Sequence, residues 1–169
     1  MNTTELLTDA FSRISDSVHG VVDGLSSREL MARVDEGSNT IAWLIWHLAR
    51  VQDDHIADLM GIDQIWLSAG WVDRFRLPLP ASDTGYGHSS DDVASVVVES
   101  PELLLGYFDE VHERSTHYLA GLTEAELDRV IDESWTPPVT VGVRLISVLS
   151  DDLQHAGQAA FIRGVVRRR

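Results

Sequence analysis

Apolar residues recur every three or four positions in four long stretches of the chain, a spacing typical of helices that bury one face. The first stretch runs from about Thr4 to Leu25, and the polar segment 28–38 follows it as a connector. The pattern therefore predicts a first amphipathic helix with the apolar stripe Leu7, Phe11, Ile14, Val18, Val21 and Leu25.

The second stretch differs from the first because its first half is apolar on nearly every side. It begins after Ser38, Asn39 and Thr40, which are favoured capping residues, and it runs to about Met60 before Gly61. A helix without a polar face must be covered by other elements. We therefore expect residues 41–49 to lie deep in the core.

Residues 61–100 form a long connection with turn-forming residues and three large aromatic side chains, Trp66, Trp71 and Phe75. A connection of this length is unusual unless it is functional. The aromatic residues predict that it packs onto the helices, either over the end that holds the site or in a homodimer contact. A short helix is expected from Ser89 to about Glu99.

Two further helices complete the pattern. The third follows Pro101, a favoured first helical residue, and ends at Leu119 or Ala120. A short helix after Thr123 and an extended stretch at Pro137 and Pro138 precede the fourth, which spans about residues 139–164. These elements predict an all-α, antiparallel four-helix bundle that forms a single domain over residues 1–169.

Composition removes several classes of function. The net charge is −14, so we expect no nucleic-acid partner. No apolar run reaches the roughly 18 residues that span a bilayer, and the polar, acidic start does not resemble a secretory signal. We therefore expect a cytoplasmic protein without a membrane partner.

Two residue types with nucleophilic side chains are missing. The chain has no cysteine, which excludes disulfides and a cysteine nucleophile, and it has no lysine, which excludes Schiff-base catalysis. Any thiol chemistry must therefore use a thiol that arrives as a substrate.

The strongest candidate for chemistry is a set of three side chains on two helices. Asp151 and His155 are four residues apart and so lie on one helix face, and His47 lies on the apolar second helix. Two imidazoles and a carboxylate that meet across the core would form a three-ligand divalent-metal site with open positions. Asp152, three residues before His155, is the alternative carboxylate.

Each candidate also has a simpler interpretation. A histidine on an apolar helix is usually a hydrogen-bonded core residue, and Asp151 would be a surface residue if the helix were rotated slightly. A buried imidazole or carboxylate nevertheless needs a partner. His55, two turns after His47, would either line the same cavity or belong to a polar rim.

Two segments resemble the signatures of a known superfamily. The segment NTIAWLIWHL (Asn39–Leu48) resembles the second-helix signature of the DinB-like superfamily, and DDLQHAGQ (Asp151–Gln158) resembles its fourth-helix signature. The loop segments Trp71–Pro78 and Thr84–Ser89 are similar to those of an actinobacterial branch that is largely uncharacterised. The resemblance covers nearly the whole chain.

The resemblance implies a four-helix bundle, often a homodimer, that holds one divalent metal. In the mycothiol-dependent maleylpyruvate isomerase branch the ligands are a histidine, then a glutamate four residues before a second histidine. Those positions are His47, Asp151 and His155 here, with aspartate in place of glutamate. The shorter side chain implies a closer approach of the helices or weaker binding.

The favoured function is a metal- and thiol-dependent transferase or isomerase that acts on a small electrophile. We expect zinc, with nickel or iron as alternatives, a mycothiol-type thiol, and His55 as a proton shuttle. A metal- or ligand-sensing bundle without catalysis is the main alternative. A non-haem iron oxygenase and a purely structural bundle rank below it.

Overall fold

Helices account for most of the computed structural model, which describes residues 2–168. In chain order the elements are α1 (Thr3–Val22), α2 (Ser27–Leu30), α3 (Ile41–Met60), α4 (Ile65–Ser68), α5 (Trp71–Phe75), α6 (Ser90–Ser95), α7 (Pro101–Ala120), α8 (Glu124–Leu127), β1 (Val130–Asp132), β2 (Val139–Thr140) and α9 (Val141–Val166). The long helices α1, α3, α7 and α9 confirm the predicted all-α four-helix bundle.

Local signals in the sequence set the ends of these helices. The hydroxyl of Thr40 accepts a hydrogen bond from the Trp43 N–H at the start of α3, and Gly61 ends this helix with a φ of 66°. The first helix ends at Val22 rather than Leu25, because Gly24 takes a φ of 70° and breaks the helical path. Leu25 is nevertheless buried, as its place in the stripe predicted.

The centre of the core is α3. Every residue from Ile41 to Asp53 is buried. The helices α7 and α9 pack beside it, and α1 packs against both of those helices from the opposite corner. Among the described residues, no helix is both long and apolar enough to cross a membrane.

The direction of the helices follows from contacts between them. Thr4 meets Leu122 and His19 meets Asp109, so α1 and α7 are antiparallel. His55 lies beside Arg144 near the start of α9, whereas His47 lies beside His155 further along it, so α3 and α9 are also antiparallel. Contacts of Arg50 with Tyr107 and of Gln52 with Ser115 show that α3 and α7 run parallel.

The parallel pair explains the long connection 61–100, which returns the chain from the end of α3 to the end where α3 begins. It contains the short helices α4, α5 and α6. The last of these ends at Ser95, earlier than the predicted Glu99. Trp66, Trp71 and Phe75 are buried around Tyr107 of α7, so the connection packs onto the bundle.

A small hairpin was not predicted. The stretch before α9 was expected only to be extended, but β1 and β2 pair there in antiparallel fashion. Strands of three and two residues are too short to show an alternating pattern, so the pattern of apolar positions could not predict them.

A buried charged network joins the connection to the core. Both carboxylate oxygens of Asp53 accept hydrogen bonds from the main-chain N–H groups of Ile65 and Trp66, and Tyr107 donates to the same carboxylate. The fully buried Arg50 guanidinium lies 3.7 Å from Asp53. Asp53 therefore fixes the start of α4 while it balances a buried positive charge.

We expect the Asp53→Ala variant to be destabilised by about 3–5 kcal/mol, the usual effect of removing one partner of a buried ion pair. The connection should also loosen, because two main-chain donors lose their acceptor. Urea unfolding measures the first effect, and limited proteolysis within residues 62–90 measures the second.

Asp58→Ala is the matched control, since Asp58 lies on the same helix but is exposed. Equal stability and equal cleavage rates in the two variants would contradict the anchoring role of Asp53.

Candidate metal centre

Two facing helices bring the three predicted side chains together. His47 projects from α3, and Asp151 and His155 project from α9. One ligand atom from each residue lies within 4.8 Å of the others. The Nε2 atom of His47 is 3.9 Å from Asp151 Oδ2, and the Nε2 atom of His155 is 3.6 Å from Asp151 Oδ1.

These distances and the state of the carboxylate fit a shared cation. Donor atoms bound tetrahedrally at zinc distances are about 3.3 Å apart, so small side-chain movements would complete the set. Both separations from Asp151 are too long for good hydrogen bonds. The buried Asp151 Oδ2 has no hydrogen-bond partner, which a cation between the three side chains would supply.

The protonation of His47 also suits a metal ligand. Its Nδ1 makes a short contact with the main-chain oxygen of Thr84, which can only accept a hydrogen bond. Nδ1 therefore carries the proton, and the lone pair of Nε2 faces Asp151 and His155. Burial lowers the pKa of His47 and so favours the neutral ring that a metal requires.

Aromatic rings hold the two histidines in place. Trp43, one turn before His47, stacks on its imidazole with ring centroids 4.5 Å apart, and it meets the His155 ring edge-on at 5.9 Å. The Nδ1 atom of His155 lies 2.9 Å from Gln158 Oε1, so that amide oxygen can orient the second imidazole in the same way.

The connection between α3 and α7 reaches the site through residues 83–88. Arg50 donates a hydrogen bond from Nε to the main-chain oxygen of Asp83, and the Asp83 carboxylate accepts hydrogen bonds from the Gly85 N–H and from His88. Trp43 Nε1 donates to His88 Nδ1. These hydrogen bonds hold the residues before and after Thr84, and so they fix the position of the carbonyl that orients His47.

Gly85 occupies a position where no side chain fits. Its φ is 96°, and a Cβ atom built there would lie 2.7 Å from His47 Nδ1. The same atom would lie 3.1 Å from Trp43 and 3.2 Å from Trp46. The close approach of the loop to His47 therefore depends on glycine.

The structure distinguishes the two neighbouring carboxylates. Asp151 belongs to the candidate ligand group, whereas Asp152 is fully buried on the core side of α9. Burial, with a smaller effect from Asp151, raises the pKa of the Asp152 carboxyl well above its usual range. Asp151 is therefore the carboxylate placed to bind a cation.

His55 lies further along the same seam between α3 and α9, outside the ligand group. Its Nδ1 is 2.9 Å from Arg144 NH1 of α9 and accepts a hydrogen bond from it. Burial first, and then the positive charge of Arg144, lowers the pKa of His55. The imidazole is therefore uncharged near neutral pH.

Several residues that shape the site were not predicted from the sequence. Thr84 acts through its main-chain carbonyl, which leaves no side-chain signal. His88 lies within the loop segment Thr84–Ser89, for which no role was predicted, and Asp83 lies just before it. The run of turn-forming residues at 82–88 was the available sign that a defined loop lies here.

Comparisons with known proteins show the family of this chain. The family model described as Mycothiol-S-transferase matches residues 6–168. The chain belongs to the mycothiol-S-transferase family. This membership confirms the resemblance to the DinB-like superfamily and supports a transferase-type function related to mycothiol.

A solved structure shows the same fold as this family member. It is described as the crystal structure of the conserved protein of locus from Enterococcus faecalis, and it is 32% identical with a TM-score of 0.93. The alignment covers 100% of this chain and 99% of that chain. A comparison with curated proteins finds no match.

We expect the Gly85→Ala variant to bind a divalent metal about 10–100-fold more weakly, the usual effect of disturbing a group that orients a metal ligand. The added methyl group must push the loop, and with it the Thr84 carbonyl, away from His47. Competition with a fluorescent chelator measures the affinity.

Gly87→Ala is the matched control, because Gly87 also has a positive φ but a Cβ there meets no atom within 4 Å. The Gly87→Ala variant should have backbone strain similar to that of Gly85→Ala, but its effect on metal binding should be small. An equal loss of affinity in both variants would show that general loop strain, not the contact with His47, is responsible.

Proposed function

We propose that this member of the mycothiol-S-transferase family is a metal-dependent enzyme that joins a mycothiol-type thiol to a small electrophile. The observation that carries the proposal is the convergence of His47, Asp151 and His155 around a buried carboxylate oxygen without a hydrogen-bond partner. The family description supports the thiol. Because this thiol must stay reduced, we also propose a cytoplasmic location.

His47, Asp151 and His155 would hold the metal, which we propose to be zinc, with nickel or iron as alternatives. A divalent ion bound there would supply a positive centre that lowers the pKa of a thiol and polarises an electrophile. Three protein ligands leave room for the sulfur. Imidazoles bind a metal in their neutral form, so Asp151 alone would offset part of the ionic charge.

The same residues determine how a substrate approaches. The His47 side chain is only 4% exposed, whereas the Asp151 side chain is 26% exposed and that of His155 is 17% exposed. The accessible side of the site is therefore formed by α9. Tyr86 lies edge-on to the His47 ring at 5.4 Å and borders this opening.

The proposed reaction conserves atoms and charge. The thiol sulfur forms a bond to the electrophilic carbon, and the thiol releases one proton. With an alkylating electrophile the leaving group departs with the electron pair of the bond that breaks. With an epoxide or an activated alkene that pair goes to the ring oxygen or the neighbouring carbon, which takes up a proton. We propose His55 as the acceptor of the thiol proton, since its lowered pKa keeps it uncharged. Arg144 must first release Nδ1, because that nitrogen is already hydrogen-bonded.

Single alanine substitutions of His47, Asp151 and His155 should each remove most of the bound metal, which elemental analysis of untagged protein measures. The matched control is Asp152→Asn, which keeps the shape of a buried neighbour outside the ligand group and should leave the metal content unchanged. Loss of metal from the control with full retention in Asp151→Ala would reverse the assignment of the carboxylate.

Removing the metal should lower the melting temperature while the helical circular dichroism persists. The bundle has a continuous apolar core of its own, so the metal adds stability without being needed for folding. Complete loss of helical signal on chelation would contradict this expectation.

The function itself predicts turnover that requires both metal and an added thiol. A panel of alkylating, epoxide and activated-alkene electrophiles should be consumed with mycothiol and metal-loaded protein, and not with metal-free protein. Replacing His55 with Gln should reduce kcat more than KM if His55 accepts the proton. Metal-dependent binding of a small molecule without turnover would favour a sensing role instead.

We also propose that the protein forms a homodimer through the outward face of α9. Val143, Ile146 and Leu153 are all about half exposed and lie on that face. A row of exposed apolar residues is typical of a protein–protein contact. The aromatic residues of the long connection, which were the predicted alternative contact, are buried within the protomer.

Ile146→Glu should shift the sedimentation coefficient of a dimer to that of a monomer, because two carboxylates would face each other at a symmetric contact. The control is Leu67→Glu, which adds the same charge at an exposed apolar residue elsewhere. A wild-type protein that sediments as a monomer would refute the dimer.

A further inference from the structure

A cavity of about 520 Å³ opens beside the candidate metal centre. It lies between the first turns of α3, the last turns of α9 and the connector that precedes α3. This volume is within the range of small-molecule sites in proteins.

The cavity and the ligand group share a wall. Leu44, one turn before His47, lines the cavity from α3. Gln158 lines it from α9 and at the same time accepts a hydrogen bond from the His155 imidazole. A molecule whose one end reaches the metal ligands could therefore extend into this cavity along the seam between the two helices.

The lining carries no charge. None of its nine residues is acidic, basic or a histidine, although charged residues make up 24% of the chain. A carboxylate or phosphate placed there would lose its hydration without gaining a cation. The cavity therefore favours an uncharged occupant.

The lining nevertheless offers hydrogen bonds. The side-chain amide of Asn39 makes no hydrogen bond within the described part of the chain, and the amide group of Gln158 uses only its oxygen. Amides both donate and accept, so they pair well with hydroxyl groups. Phe161, which is 63% exposed, adds an apolar ring at the rim, suited to the C–H face of a sugar.

We infer that this cavity binds the uncharged, hydroxyl-rich sugar portion of the thiol whose sulfur is activated at the metal centre. The inference rests on the proposed thiol-dependent function. In mycothiol the carboxyl of N-acetylcysteine forms an amide with glucosamine, which is linked to inositol, so the molecule has no free carboxylate. Glutathione and bacillithiol both carry carboxylates in the corresponding part of the molecule.

The opposite end of the seam has a different chemistry. There the guanidinium of Arg144 contacts His55, and the described residues place no carboxylate within 4.0 Å of it. That end carries charges of both signs, since Asp54 Oδ2 lies 3.7 Å from His55 Nδ1, whereas the cavity offers only neutral groups. The uncharged sugar is therefore assigned to the cavity.

The test variant is Gly157→Leu. Gly157 lines the cavity within α9, and a Cβ atom there meets nothing within 4 Å, so a larger side chain would occupy the cavity without disturbing the helix. Because Gly157 also lies one turn after Leu153, sedimentation checks that the variant keeps the oligomeric state of the wild-type protein. The control is Gly20→Leu, since Gly20 is also helical, exposed and open at its Cβ position, but lies on α1.

With metal-loaded wild-type protein, KM for mycothiol should be at least about tenfold lower than KM for the uncharged amide of N-acetylcysteine, the ratio expected from one or two neutral hydrogen bonds and a packed ring. Gly157→Leu should remove this advantage and leave kcat and KM with N-acetylcysteine amide unchanged. Glutathione should behave no better than N-acetylcysteine amide. Asn39→Ala should also raise KM for mycothiol, and circular dichroism checks that this variant is folded. It replaces Gly157→Leu as the test variant if that protein does not fold.

A direct binding measurement separates this inference from the proposed function. The sulfur-free glycoside N-acetylglucosaminyl inositol should bind wild-type and Gly20→Leu protein in calorimetry, and not Gly157→Leu. Binding without any thiol-dependent turnover would support the cavity and contradict the enzyme. Turnover with equal KM for both thiols, or a Gly157→Leu effect on the electrophile alone, would overturn the inference while the thiol-dependent function stands.

Discussion

The burial of α3 on all sides over residues 41–53 is the constraint from which the rest of the structure follows. A helix that is apolar almost all round cannot face water, so α7, α9 and the long connection each cover part of it. The connection has to run back along the bundle to do this, which makes α3 and α7 parallel. His47 can sit in the interior only because α9 and the loop at Thr84 meet around it.

The same burial explains why charged residues lie so deep. Arg50 and Asp53 are both fully covered, and each acts on the connection: Arg50 holds the carbonyl of Asp83, and Asp53 holds the start of α4. Buried charges of this kind contribute little net stability compared with apolar residues, but they define one arrangement of the chain. The position of the loop at the metal centre is thus specified from within the core.

The sequence predicted the parts of the fold that depend on regular spacing. The four long helices and the pairing of Asp151 with His155 follow from periods of three and four residues. The starts of α3 and α7 follow from residue type, since Thr40 caps one and Pro101 is the first residue of the other. The pattern could not decide whether Asp151 or Asp152 faces His47, since the two residues differ by only 100° around the helix. The role of the Thr84 carbonyl could not be predicted either, because every residue type carries a main-chain carbonyl.

The loop tip beside His47 contains one confined residue followed by one exposed residue. Gly85 is confined by three side chains of α3, whereas the next residue, Tyr86, projects outward and is 67% exposed. A change of side chain at 86 alters the mouth of the site without moving the backbone that orients the imidazole. Substitution of this one residue would therefore change access to the candidate metal centre while the imidazole beneath it keeps its orientation.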